Sequence, residues 1–215
     1  MKRLTLLFTI ILAFILYSCG EKANEMKEAF KSMEKIAEAG KNMEAETKLA
    51  DVRKKERISR GDTLAMPYQE LQKFLPASIN GYKAEEAEGT SFNMPPMSYS
   101  QASCKYVAPG TDGGENYVTV TILDYNQAGD MYVGLTALWQ MGFASETKDR
   151  KEMTFNTGYD NVSGYEVLDK NNKRATVNYG IAWRFFLTVE ASNQTSTDFV
   201  KSVANTIDIK KLSGM

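Results

Sequence analysis

The chain has 215 residues, of which 43% are hydrophobic and 25% are charged, and its formal net charge is −1. It contains no histidine and two cysteines. A histidine-dependent triad, an imidazole base and a histidine metal cluster are therefore excluded, and a cysteine-rich zinc site or a disulfide framework is excluded as well. We predict no catalytic residue, no metal and no cofactor.

The N-terminus has the pattern of an export signal. Lys2 and Arg3 precede an uncharged, mostly apolar run over residues 4–17. A helix over this run is about 21 Å long, which is short of the roughly 30 Å hydrocarbon core of a bilayer. We therefore interpret residues 1–18 as a signal peptide that is removed, and not as a membrane span.

The end of this run, Leu16-Tyr17-Ser18-Cys19-Gly20, resembles the processing site of bacterial lipoproteins. The resemblance implies that Cys19 becomes the first residue of the mature chain and carries fatty-acid chains such as palmitate. It also implies the outer membrane, because Gly20 stands where an aspartate would indicate retention in the inner membrane. The alternative is an ordinary cleaved signal with a cysteine near the cut.

Residues 21–60 are rich in charge, with 11 Lys and Arg and 9 Asp and Glu. Apolar residues at helical spacing predict one long charged helix from Asn24 to Ile58, about 50 Å in length. We assign residues 19–60 to a lipid anchor and helical stalk. The stalk is interpreted as a solvated spacer, and the alternatives are a coiled coil that binds a partner helix or a helix lying on the membrane surface.

Residues 61–215 have the composition of a globular domain, with a net charge of −5 from 13 basic and 18 acidic residues. An acidic domain is a poor candidate for binding nucleic acid. Helical patterns cover residues 67–75, 130–141 and a C-terminal segment carrying Phe199, Val203 and Ile207. Strand patterns cover residues 82–88, 99–107, 117–125, 151–156, 162–168, 174–179 and 183–191. The order αβββαββββα predicts an α+β fold, an antiparallel sheet with helices packed on it.

Several segments resemble bacterial envelope lipoproteins of unassigned function. They are Leu71–Tyr82 (LQKFLPASINGY), residues 97–100, the strand Val118–Tyr125 and the segment Trp183–Ile207. The element order is also similar to the PsbP/LpqN-like α/β/α sandwich. The resemblance implies a role in binding or assembly in preference to catalysis.

Flexible methionines and flat aromatic rings suit adaptable binding surfaces, and one set of them is a candidate binding groove. The set comprises Met94, Met97, Tyr99, Trp139, Met141 and Phe143. Core packing is the default explanation for these residues, and the groove is the functional alternative. Glu85, Glu86 and Glu88 form an acidic edge that discourages pairing with a neighbouring strand.

Two polar motifs invite a chemical interpretation. Asp124, Asn126 and Asp130 supply oxygens of the kind that calcium prefers, although a strand end and a helix cap account for them more simply. Asp62-Thr63-Leu64 resembles the acceptor motif of an O-glycosylation system in some Gram-negative envelopes, which makes Thr63 a candidate modified residue.

Taken together, the sequence predicts a lipid-anchored protein of the cell envelope that binds an envelope protein or an apolar ligand without performing chemistry. Two alternatives stay open. A carboxylate-dependent enzyme acting on glycans requires two carboxylates roughly 5 to 10 Å apart in a cleft. A passive spacer requires no concave pocket.

Overall fold

The computed structural model of the protein describes residues 43–94, 97–110, 116–140 and 142–215. The helices of these segments are α1 (43–59), α2 (Tyr68–Gln72), α3 (Gly129–Gln140), α4 (Asp198–Ala204) and α5 (Ile209–Ser213). The strands are β1 (Lys83–Ala84), β2 (Glu88–Met94), β3 (Met97–Val107), β4 (Tyr117–Asp124), β5 (Ala144–Glu146), β6 (Arg150–Phe155), β7 (Val162–Asp169), β8 (Arg174–Ile181) and β9 (Phe185–Ala191). Within the described segments, no helix is both long and apolar enough to cross a membrane.

All nine strands belong to one antiparallel sheet. Its order is β1-β3-β4-β9-β8-β7-β6-β5, and β2 pairs with β3 on the same side as β1. The predicted α+β class, an antiparallel sheet with helices packed on it, is therefore confirmed.

One face of the sheet carries the main hydrophobic core. Strict alternation places every second residue of β3, β4, β8 and β9 on this face. The register aligns Cys104, Val120, Val189 and Val177 across these four strands. Helices α2, α4 and α5 cover the face with buried side chains, namely Leu71, Val200, Val203, Ile209 and Leu212.

The opposite face is covered by α1 and α3. Successive residues of a strand point to opposite faces, so Ile122 lies in the main core while Leu123 packs against the second cluster. That cluster is built on Ala50, Tyr125, Ala128, Tyr132 and Val133. Its members join α1 and α3 to the sheet.

Helix α1 belongs to the globular part, which corrects the predicted boundary between residues 60 and 61. Ala50 and Arg57 are seven positions apart on one helical face, and they are only 7% and 3% exposed. Lys54, on the same face, donates to the main-chain oxygen of Gln127 at 3.2 Å. The segment was interpreted as a solvated spacer because of its many charged residues. These residues hide the narrow buried face formed by Ala50, Lys54 and Arg57. The rest of the predicted stalk lies outside the described residues.

Burial of Ala50 gives a direct test of this docking. We expect Ala50→Asp to lower the free energy of unfolding by about 2–4 kcal/mol, because it places a carboxylate in an apolar contact. The matched control is Ala45→Asp, on the exposed side of α1, which should change it by no more than about 0.5 kcal/mol. Urea unfolding of both variants measures the difference, and equal effects would mean that α1 stands free of the sheet.

Other differences from the sequence-based elements are local. The predicted strand 82–88 is replaced by the two-residue β1 and by β2, which begins at Glu88. The short strand β5 and the final helix α5 were not predicted. In helix α3, Met131 and Leu135 are 51% and 46% exposed, whereas Tyr132 and Val133 are buried against the sheet.

Candidate functional site

A cleft of about 1010 Å³ lies beside the loop that joins α1 to α2. Its walls come from residues 60–69, from β2, and from Gly214 and Met215. Its lining residues are Arg60, Gly61, Asp62, Thr63, Leu64, Ala65, Met66, Pro67, Tyr68, Gln69, Gly89, Thr90, Ser91, Asn93, Arg184, Gly214 and Met215. The lining includes hydroxyl, amide and apolar groups, so the cleft suits a ligand with both polar and apolar groups.

Arg184 lies at the base of this cleft between two carboxylates. Its Nη1 donates to Oδ2 of Asp62 at 2.6 Å. Its Nε and Nη2 donate to Oδ1 and Oδ2 of Asp124 at 2.9 and 2.8 Å, a bidentate pair. Asp124 is completely buried, whereas the side chain of Asp62 is 33% exposed. The guanidinium therefore neutralises one inaccessible carboxylate and one at the cleft surface.

Asn126 and Arg57 complete this group, which we name the Arg184 cluster (Arg57, Asp62, Asp124, Asn126 and Arg184). The Arg57 Nε donates to Oδ1 of Asn126 at 2.7 Å. The Asn126 Nδ2 donates to Oδ1 of Asp62 at 2.8 Å. Asn126 thus uses its amide oxygen and its amide nitrogen to link α1 to the loop that follows it.

The pKa values of the two arginines respond oppositely to this environment. Burial is the largest influence on Arg57 and lowers its pKa, and the nearby charge of Arg184 lowers it further. Burial also acts to lower the pKa of Arg184. The hydrogen bonds and the charge of Asp124, followed by the charge of Asp62, outweigh that effect and raise the pKa of Arg184. The positive charges of the two arginines are therefore matched in number by the two carboxylates of the cluster.

The turn between β8 and β9 positions Arg184 at a conformational cost. Ala182 and Trp183 both have φ of +53°, which is unfavourable for residues with a side chain. The Trp183 indole N–H donates to Oε2 of Glu46 at 2.6 Å, and the Arg53 guanidinium lies 5.8 Å from the centre of its ring. Contacts to α1 on one side and the Arg184 cluster on the other offset the strain.

The loop wall of the cleft is fastened to the sheet by hydrogen bonds from its main chain. The Ala65 N–H donates to Oγ of Ser98 at 2.6 Å, and the Met66 N–H donates to Oδ2 of Asp124 at 2.8 Å. Asp124 therefore receives four hydrogen bonds in all, since the Asn126 N–H donates to its Oδ1 at 2.9 Å. These hydrogen bonds hold the main chain of the wall against the sheet, while Leu64 in the same wall is 54% exposed.

The opposite wall is the edge strand β2 with α2 beside it. The Tyr68 N–H donates to Oγ of Ser91 at 3.0 Å, and the Gln72 side chain donates to the main-chain oxygen of Ala87 at 2.9 Å. The Tyr68 ring lies so close to Gly89 that any side chain at position 89 would collide with it. A glycine at this position is what allows the aromatic ring to form part of the cleft.

The structure does not bring the predicted groove residues together. Met94 and Met97 pair across the β2–β3 hairpin and are 58% and 41% exposed. Tyr99 is half-buried beside Phe92, with ring centres 5.3 Å apart. Trp139 lies elsewhere on the sheet.

Trp139 is buried, and its ring centre lies 5.6 Å from that of Tyr165 and 5.3 Å from that of Phe186. It packs on β7 and β9, which are separated from β3 by at least one strand. Core packing is thus the role of Trp139, and Phe143 is half-buried after α3. Met141 lies outside the described residues.

The remaining predicted sites have separate outcomes. Thr63 is exposed in the cleft wall, so its glycosylation stays a prediction. Cys19 lies outside the described residues, and its acylation stays a prediction as well. Cys104, the other cysteine, is buried in the main core. In the part of the chain that the structure describes, no three carboxylate or thiol groups lie close enough to hold a metal ion.

Sequence reasoning missed the Arg184 cluster and the β2 wall. The signal for Arg184 was a single arginine within the apolar run Gly180–Leu187, where a buried charge requires a partner. Nothing in the sequence indicates that its partners are Asp62 and Asp124, because they are 122 and 60 positions away.

No protein-family model matches the chain, and no curated protein and no solved structure matches it either. The case for a function therefore depends on its own residues.

Proposed function

We propose that the protein is a non-catalytic binding or assembly module of the cell envelope, attached to the outer membrane by lipid on Cys19. The observation that carries the binding role is the cleft over the Arg184 cluster. It offers hydroxyl, amide and apolar groups to a ligand, while its strongest charges are bound to each other. The proposal includes the PsbP/LpqN-like arrangement as its fold, supported by helices on both faces of an antiparallel sheet.

The same geometry argues against the carboxylate-dependent glycan enzyme. Asp62 and Asp124 are near one another, but the Arg184 guanidinium binds both of them. Asp124 has no exposed surface, so it cannot reach a sugar. A glycosidase needs two carboxyl groups that face the scissile bond from a shared open space. The cleft also argues against a passive spacer, for which a concave surface has no use.

Leu64 provides the test of the binding role because it is an exposed apolar residue in the cleft wall. We expect Leu64→Glu to reduce capture of the partner at least tenfold, since it adds a charge where an apolar contact forms. The control is Leu49→Glu, an exposed leucine of α1 outside the cleft. Both full-length proteins are crosslinked in intact envelopes, and captured molecules are quantified by mass spectrometry.

Molecules whose capture falls with Leu64→Glu and persists with Leu49→Glu support the proposal. If no molecule distinguishes the two variants, the cleft is not a binding site and the proposed function is wrong.

A further inference from the structure

The edge strand β2 leaves part of its main chain unpaired. Among the described strands, β2 pairs only with β3, and its register places Thr90 opposite Gln101. Glu85, which precedes β2 on the same side, donates its N–H to the main-chain oxygen of Lys105 at 2.8 Å. The odd-numbered residues of β3 therefore direct their N–H and C=O groups toward this edge.

Antiparallel pairing then fixes which residues of β2 face outward. The even-numbered residues of β2 lie opposite the odd-numbered residues of β3, so they form the ladder between the two strands. Gly89, Ser91 and Asn93 direct their main-chain N–H and C=O groups away from β3. All three are exposed, and no other described element bonds these main-chain groups. A row of such groups is a template for another strand.

The unpaired row also borders the cleft, since Gly89, Ser91 and Asn93 are three of its lining residues. A strand laid along β2 would direct alternate side chains into the cleft, toward Tyr68 and Leu64. The side chains between them would point to the other face, beside Phe92 and Met94. Main-chain hydrogen bonds and pockets for alternate side chains are the two requirements of strand addition.

Charge at one end of β2 favours a basic partner. Glu85, Glu86 and Glu88 are all exposed there, and the exposed Lys83 precedes them in the chain. Exposed acidic side chains repel an acidic strand and attract a basic one. The other end has Met94 and Met97, which suit an apolar side chain.

We propose that β2 binds an extended segment of a partner protein by strand addition, with a basic residue beside Glu88 and alternate side chains in the cleft. This inference rests on the proposed binding function and names its partner class. A second copy of this chain fits less well, because pairing two β2 edges leaves the cleft unfilled. One short strand also falls well below the roughly 800 Å² that each partner contributes to a standard interface.

Ser91 allows the main-chain contact to be tested apart from its side chain. Ser91→Pro removes an outward N–H and spares the ladder with β3, because proline is tolerated at such edge positions. Ser91→Ala is the matched control, since it loses the same Oγ contact with Tyr68 and keeps the N–H. The probe is a displayed library of random nine-residue peptides, selected on the full-length protein.

We expect selected peptides to be enriched in basic residues at one end, to bind Ser91→Ala within about twofold of the unchanged protein, and to bind Ser91→Pro at least tenfold more weakly. Methylating alternate peptide nitrogens should abolish binding, and binding should slow hydrogen exchange at the amides of Gly89, Ser91 and Asn93. Failure to select peptides, or equal binding by Ser91→Pro, would overturn strand addition. A dimer of the unchanged protein that Ser91→Pro dissociates would overturn it in favour of self-pairing.

The outcome is separable from that of the proposed function. If Ser91→Pro still captures the molecules whose capture Leu64→Glu abolishes, the cleft binds its partner without strand addition. Only strand addition is then wrong.

Discussion

Replacing Arg184 with methionine is expected to lower the free energy of unfolding by about 3–5 kcal/mol. The side chain of Arg184 is 5% exposed, and it is bound to two carboxylates at 2.6 to 2.9 Å. Methionine fills much of the same volume but leaves Asp124 buried and without a cation bonded to it. Losing one partner of a buried pair costs more than the pair itself contributes, because the remaining charge is desolvated.

The matched control is Arg174→Met. Arg174 is 50% exposed, and its Nε lies 3.8 Å from Glu190, so its loss should cost no more than about 0.5–1 kcal/mol. Adding Asp124→Asn to Arg184→Met should restore part of the stability, since it removes the stranded charge. Urea unfolding of the four proteins measures these differences. Equal effects of Arg184→Met and Arg174→Met would contradict the account of a buried charge network.

The Arg184 cluster also has a functional consequence. It ties α1, the loop after α1, the end of β4 and the β8–β9 turn to one another, and these contacts hold one wall of the cleft at a fixed distance from β2. A binding site built on loops needs such support to keep its geometry. The cluster therefore acts as a positioning device for the cleft, and its charges are mainly bound to one another.

The central sheet was predictable because its signal is local. Ala102, Cys104 and Tyr106 alternate with polar residues on β3, and the same period of two runs through β4 and β9. An alternation of apolar and polar residues with a period of two identifies a strand that has one face in the core. The strand patterns over residues 162–168 and 174–179 are equally local, and the structure pairs those strands as β7 and β8.

The walls of the cleft were not predictable in the same way. Strand β2, with sequence EGTSFNM, has one partly buried residue, Phe92, so it lacks an alternating pattern. It is a strand because β3 offers it a ladder of main-chain hydrogen bonds. The Arg184 cluster depends on residues brought together from four parts of the chain, and pairing over such distances leaves no periodic trace in a single sequence.

Helix α1 shows an intermediate case. Its helical state was predicted from the spacing of apolar residues, but its docking depends on Ala50, Lys54 and Arg57, which are small or charged residues. An apolar pattern search passes over such residues, because Arg57 is buried through a hydrogen bond to Asn126 and not through hydrophobicity.

Replacing Cys19 with alanine is expected to move the protein from the membrane fraction to the soluble fraction, or to leave it as an uncleaved precursor. Each buried CH₂ of an acyl chain contributes about 0.8 kcal/mol, so two or three chains make attachment effectively permanent and their loss abolishes it. The control is Cys104→Ala, which changes the other cysteine, a buried core residue 5% exposed, and should leave partitioning unchanged. The result is measured by fractionation after a high-salt wash and by the mass of the N-terminal peptide. Unchanged partitioning of Cys19→Ala, together with an unmodified Cys19 in the parent protein, would contradict lipid attachment. The proposed binding role of the cleft would then stand without attachment to the membrane.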